Sequence, residues 1–256
     1  MTDPIIVKPS STLLTQAGIP SDSYTLAPLD GLRQTIAKRM TESFRDVPHF
    51  SLTLDVEIDA LQQLRAAYNE AATSGASIKL SMNDMVVRAA ALALTAVPEA
   101  NASFTPDGIA LHRHADIAIA VAIEGGLVTP IVRAADTKPV KQIALESKDL
   151  VSRARVMKLS PREYKGGTFS ISNLGMFGIR QFSSIVNQPQ GCILSVGAAE
   201  PRAIVRNGQP AVATVMTLTL TCDHRVVDGA VGAQLLQALK GLLEAARSED
   251  YEPLPT

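Results

Sequence analysis

The chain has 256 residues, 46% of them hydrophobic and 19% charged, with a net charge of −1. That is enough apolar material for one large domain or two small ones. The near-neutral charge and 4% aromatic content argue against nucleic-acid binding, which needs a basic field and stacking platforms.

The longest apolar run, Met85 to Val97, is broken by Arg88 and Thr95. It falls short of the roughly 18 residues of a membrane span, so no membrane partner is expected. Met1-Thr2-Asp3-Pro4 lacks the basic start and apolar core of a secretory signal. Cys192 and Cys222 both lie in apolar, strand-like runs and read as buried free thiols of a reducing, cytoplasmic compartment, or the mitochondrial matrix in a eukaryote. Neither belongs to a C-x-x-C, and His112-x-His114 stands alone, so no metal is expected.

Residues 1–28 show no sustained period and hold several Pro, Ser and Thr, which predicts a linker or partly disordered arm. Leu32, Ile36, Met40 and Phe44 recur at four-residue spacing and predict an amphipathic helix ended by Pro48. Phe50 to Ile58 alternates as a half-buried strand, and Asp59 is placed to cap a helix over 60–72. Ser81-Met82-Asn83-Asp84 has the form of a capping box before a mostly apolar helix, to be buried on most sides and stopped by Pro98. Residues 109–112, 115–123 and 127–133 read as strands, the last two joined at Gly125-Gly126. A helix over 140–157 follows, and Ser160-Pro161 predicts a short helix with proline in its first turn. Strands are expected at 169–172, 191–198 and 211–221, and a last helix at 230–247. Helices and strands alternate without repeats, which makes the class α/β with a mixed sheet.

Two runs carry chemistry. An alternating apolar stretch ends in Asp223-His224-Arg225-Val226-Val227-Asp228-Gly229. This sets His224 at the end of a buried strand, where a rigid scaffold can aim an imidazole as a general base. A structural histidine paired with Asp228 or a backbone carbonyl satisfies the same spacing. The second run, Gly166 to Gly178, leads a strand into Ser172-Asn173 and a glycine-punctuated loop. Its hydroxyl and amide could serve an oxyanion or ligand, or simply make a Ser/Asn turn.

Taken together, the chain resembles the catalytic core of dihydrolipoamide acyltransferases, the E2 components of 2-oxo acid dehydrogenase complexes. The resemblance covers about residues 29–243. It rests on the run from Gly31 to Met40, Val47-Pro48-His49-Phe50, the run from Val97 to Ser103, Gly126-Leu127-Val128-Thr129-Pro130, and the two runs above. In detail it is most like the acetyl-transferring, pyruvate dehydrogenase type. It implies a two-layer sandwich similar to chloramphenicol acetyltransferase, with residues 29–247 as the catalytic domain and 248–256 as a tail.

The resemblance also implies a homotrimer whose active sites lie between subunits, so that His224 and Ser172 come from different chains. Coenzyme A would be a substrate, and the lipoyl group would be carried on a separate lipoyl domain or chain. The E1 and E3 components would be further partners. His224 would be the base, oriented by a backbone carbonyl as in the related fold, and Ser172 the oxyanion donor. Asp228 would hold the loop by pairing with an arginine such as Arg33, Arg39 or Arg225. Coenzyme A contacts fall on Arg65, Ser81, Ser172, Asn173 and Gly197, while an acidic contact of the family is Ala122 here.

Other acyl groups (succinyl or branched-chain), another acceptor, or a non-catalytic core subunit are the competing readings. No lipoyl-lysine motif is present. The tail, Ser248 to Thr256, holds one leucine between prolines and three acidic residues, which predicts a trimer that does not close into a shell.

Overall fold

Alternation of apolar and hydroxyl-bearing residues builds the sheet that organises the chain. The computed structural model describes residues 12–71 and 78–252. The expected helix end at 72 and the tail leucine Leu254 lie outside the described residues.

The chain enters through α1 (Thr12–Gln16) and α2 (Gly31–Asp46). Asp30 caps α2, accepting from Arg33 N at 2.7 Å. Next come β1 (His49–Glu57), α3 (Asp59–Ala71) and α4 (Met82–Ala96). A hairpin of β2 (Ala102–Thr105) and β3 (Gly108–Leu111) precedes β4 (Ile117–Ile119), a second hairpin of β5 (Val121–Ile123) and β6 (Gly126–Val128), and β7 (Ile131–Val132). The rest is α5 (Val140–Arg155), α6 (Pro161–Tyr164), β8 (Phe169–Asn173), β9 (Cys192–Arg206), β10 (Gln209–Asp223), α7 (Gly229–Ala245) and α8 (Ser248–Tyr251). No helix among the described residues is long and apolar enough to cross a membrane.

Six strands form one sheet in the order β1-β10-β9-β8-β4-β7. β8 runs parallel to β4 and β9 and the other pairs are antiparallel, so the sheet is mixed, as expected. Register gives each face its character, because cross-strand partners share a face. Leu52, Leu220, Leu194 and Ile171 form one row and join the apolar core. Helix α7 lies so close to it that a Cβ on Gly232 would come within 2.9 Å of Leu52 Cδ1. The neighbouring row, on the opposite face, is Thr53, Thr219, Ser195 and Ser172. Its hydroxyls pair across strands, Thr53 with Thr219 at 3.0 Å. Ser195 instead meets Ser184 of the segment after β8, at 2.7 Å.

Several elements depart from the sequence reading. Asp59 opens α3 but does not cap it; its carboxylate accepts from Thr214 N on β10 (3.1 Å). The strand expected over 115–123 breaks at Ala120, whose N–H turns to Ile171 O. The one expected over 127–133 breaks before Pro130, which has no N–H to give. The β5–β6 turn is Glu124-Gly125, with Gly125 at φ +78°. β9 and β10 run on to Arg206 and from Gln209, joined by Asn207-Gly208 with φ of 53° and 78°, the backbone of a two-residue hairpin loop.

Ten of the 15 residues of α4 are buried, among them Arg88 at 1% exposure. Its guanidinium donates to three carbonyls: Asp250 O (2.9 Å), Asp136 O (2.7 Å) and Ala135 O (3.3 Å). Burial draws its pKa down, and the charges of Asp136 and Asp250 oppose that. Through Asp250 the arginine fastens α8 to α4, and Tyr251 is buried in the core. The start of the tail therefore packs inward.

Candidate active site

β10 delivers its last residue, Asp223, to the edge of the core, where the carboxylate is buried. Arg225 satisfies it three ways, through N (3.0 Å), Nε (2.9 Å) and Nη2 (2.7 Å). The hydrogen bond to Asp223 raises the Arg225 pKa further. The guanidinium also sits 4.1 Å from the ring centroid of Phe104 on β2. Val226 N and Val227 N both return to Asp223 O and close the turn.

His224 lies inside this turn. Its N–H donates to Pro48 O (3.1 Å), and its side chain points outward and is exposed. Neither ring nitrogen makes a hydrogen bond among the described residues. The imidazole packs instead on Phe50, with centroids 4.6 Å apart and planes at 48°. Orientation by a backbone carbonyl, expected from the related fold, is thus not found.

Among the described residues Asp228 is not paired with an arginine either: Arg225 is taken by Asp223. Asp228 is the N-cap of α7, accepting from Val231 N at 2.9 Å. The pair of Asp223 and Arg225 and the contact with Phe50 were not read from sequence. Asp223-x-Arg225 would have been a signal for the first. The second needs the register of β1 on β10, which sets Phe50 opposite Cys222.

Ser172 is half-buried near the end of β8, and its hydroxyl has no protein partner among the described residues. Asn173 bridges two elements. Its Oδ1 accepts from Gly175 N (3.0 Å), and its Nδ2 donates to Asn83 Oδ1 (3.3 Å) at the start of α4. The glycines here permit close backbone approach. A Cβ on Gly175 would lie 2.6 Å from Gly197 O, and one on Gly197 would lie 2.0 Å from Arg180 O.

Ser81, two residues before Asn83, is committed to its capping box with Asp84: Oγ to Oδ2 at 2.6 Å and N to Oδ2 at 2.7 Å. Burial raises the Asp84 pKa, and the Ser81 bonds pull against it. The structure therefore gathers Ser172, Asn173, Gly197 and Ser81 around the end of β8. Arg65 is half-buried on α3, one turn before Asn69, which bonds both polar backbone groups of Leu80 beside Ser81; its Nε is buried and has no partner among the described residues. Ala122 is exposed on β5.

Ser172 and His224 are far apart within the chain. Ser172 pairs with Ser195, which pairs with Thr219, and His224 lies five residues beyond Thr219. At strand spacings this is about 17 Å along the sheet and about 10 Å across it. One hydrogen-bonded pocket cannot hold both from a single chain.

Residues 21–248 match the family model of the 2-oxoacid dehydrogenases acyltransferase (catalytic domain). The chain belongs to this family. It is 52% identical over 225 residues to the dihydrolipoyllysine-residue acetyltransferase component of the pyruvate dehydrogenase complex of Rhizobium meliloti, a match covering 87% of this chain and 50% of that protein. The chain thus spans about half the length of the curated relatives it matches. Among solved structures, the dihydrolipoamide acetyltransferase of Azotobacter vinelandii superposes with a TM-score of 0.84 at 31% identity, covering 88% of this chain and 93% of that one. Chloramphenicol acetyltransferase shares the fold, with a TM-score of 0.52 at 19% identity over 85% of this chain and all of that one. The α/β sandwich of these acyltransferases is the fold expected from the sequence.

Proposed function

We propose that this domain transfers an acetyl group between a dihydrolipoyl thiol and coenzyme A. The observation that carries the reading is His224: an exposed imidazole with neither ring nitrogen hydrogen-bonded among the described residues, set in a turn fixed on both sides, in a chain of this family. A thiol has a pKa of about 8.5 and is mostly protonated at neutral pH. His224 takes its proton as the sulfur adds to the thioester carbonyl, and returns it to the leaving thiol. Ser172, whose hydroxyl is uncommitted, donates to the oxyanion of the tetrahedral intermediate, a contact of a kind that costs about 2.7–4 kcal/mol of barrier when lost. No serine nucleophile is required, since both substrates bring thiols.

The serine, histidine and asparagine whose catalytic roles were investigated in the Azotobacter vinelandii enzyme stand at the same separations along its chain as Ser172, His224 and Asp228 do here, with aspartate in the third place. That supports the assignment of the first two. Asp228 acts by capping α7 behind the turn. The long path between His224 and Ser172 supports a homotrimer in which the site forms between two chains. Asn173, Gly197 and Ser81, which cluster beyond Ser172, are the residues proposed to meet coenzyme A; Arg65, half-buried on α3, is proposed to reach a phosphate with the exposed part of its guanidinium. The lipoyl group arrives on a separate domain or chain, and a cytoplasmic pyruvate dehydrogenase complex with its E1 and E3 components is the proposed setting.

The test is His224→Ala, assayed with acetyl-coenzyme A and dihydrolipoamide beside succinyl and isobutyryl donors. Turnover should fall by about 10²–10⁴ with the fold intact. A variant that keeps a tenth of wild-type turnover or more rules His224 out as the base, and preference for another donor corrects the acyl group.

A further inference from the structure

Nothing hydrogen-bonds the His224 ring among the described residues, yet a base must be aimed. The aromatic side chain of Phe50 packs on its ring, with centroids 4.6 Å apart. Phe50 lies on β1, and His224 directly follows its neighbour strand β10. His49 pairs with Asp223 and Phe50 with Cys222, so the start of β1 runs beside the turn that holds His224. The neighbouring Pro48 carbonyl holds the His224 N–H. Residues 48–50 thus support both the backbone and the imidazole of His224.

We propose that Phe50 is a positioning residue for His224, its ring holding the imidazole in the rotamer that meets the thiol. The inference rests on His224 being the base. The contact has a second consequence in the transition state. When His224 holds the thiol proton, its ring is a cation, and an aromatic ring within about 6 Å attracts a cation in a way that an aliphatic side chain does not. Phe50 therefore favours the protonated base formed during attack more than the neutral base that precedes it. Its removal should act on kcat and leave substrate binding alone.

The experiment compares Phe50→Leu, which keeps an apolar side chain at this half-buried strand position, with Phe50→Tyr, which keeps the ring. The chain has four histidines. With ¹³Cε1-labelled histidine, the His224 resonance is assigned by its loss in His224→Ala. In Phe50→Leu the ring-current shift of that resonance should disappear, kcat should drop about tenfold, and KM should stay within about twofold. Phe50→Tyr should restore both signals, and both variants should keep the wild-type thermal midpoint. A Leu variant with unchanged kcat, or with its loss confined to KM, overturns the proposal while His224→Ala remains inactive. Turnover that survives His224→Ala overturns the base assignment, and this proposal with it.

Discussion

At the scale of single residues, the proposed site divides into groups that would touch substrate and groups that hold the turn. Ser172 is proposed for the first. Its free hydroxyl predicts that Ser172→Ala lowers kcat by about 10²–10³ with little change in KM, since the contact forms mainly in the transition state. Steady-state kinetics check this, and a change in KM alone would make Ser172 a ground-state contact. Asp228 belongs to the second group. Asparagine caps a helix as well as aspartate does, so Asp228→Asn should keep activity and stability, whereas Asp228→Ala should cost about 1 kcal/mol in urea unfolding. An Asn variant with wild-type stability but no turnover would show instead that the carboxylate acts in the chemistry. His224 and Ser172 stand out in the sequence as candidates, one just after an alternating strand and the other at the end of a strand before a glycine-bearing loop. The spacing alone also fits a structural histidine and a Ser/Asn turn, and their proposed roles come from the family resemblance. The partners of Asp228 could not be read there: three arginines were candidates, and only the folded turn shows that Arg225 closes on Asp223, two residues away.

Elements were legible where their signals are local. The capping box at Ser81 forms, the short helix after Ser160 starts with Pro161, and α4 is buried as its apolar run requires. The long β9–β10 hairpin was cut short because its outer half is only partly covered, although Asn207-Gly208 marks its turn. The role of Arg88 was hidden, because its carbonyl partners lie far along the chain. Removing this arginine should strand three carbonyls and release α8. Arg88→Leu should therefore cost about 3 kcal/mol or more in chemical unfolding and expose the Tyr251 segment to proteolysis. Retained stability and a protected tail would show that α8 docks without it. At α6, Arg153 and then the Ser160 bonds hold the Glu163 carboxyl down, from 4.5 to about 2. A lowered carboxylate pKa stabilises the fold above the unfolded value, and that contribution is lost as pH falls from about 4.5 towards 2. Glu163→Gln should flatten the pH dependence of the unfolding midpoint across this window. An unchanged slope would mean that solvent screens the pair fully.

For the whole molecule, the proposed roles of His224 and Ser172, which lie far apart in one chain, would make assembly part of the chemistry. If the base of one chain works with the serine of its neighbour, His224→Ala and Ser172→Ala subunits should complement each other. Every mixed trimer then has one interface where an intact His224 from the serine variant meets an intact Ser172 from the histidine variant. With three sites per ring and random mixing of equal amounts, roughly a quarter of wild-type turnover should return. Co-expression or joint refolding, followed by the acetyl-transfer assay, measures it. Sedimentation of the same sample should give a trimer and no large shell. Tyr251, one of the two large apolar side chains of the tail, is already buried in its own subunit and offers little surface to a neighbour. If both catalytic groups of a site came from one chain, no mixed site would hold both, and the mixture would stay as inactive as its parents. That result would refute the shared site, and would require a rearrangement that closes about 17 Å of sheet between the two residues.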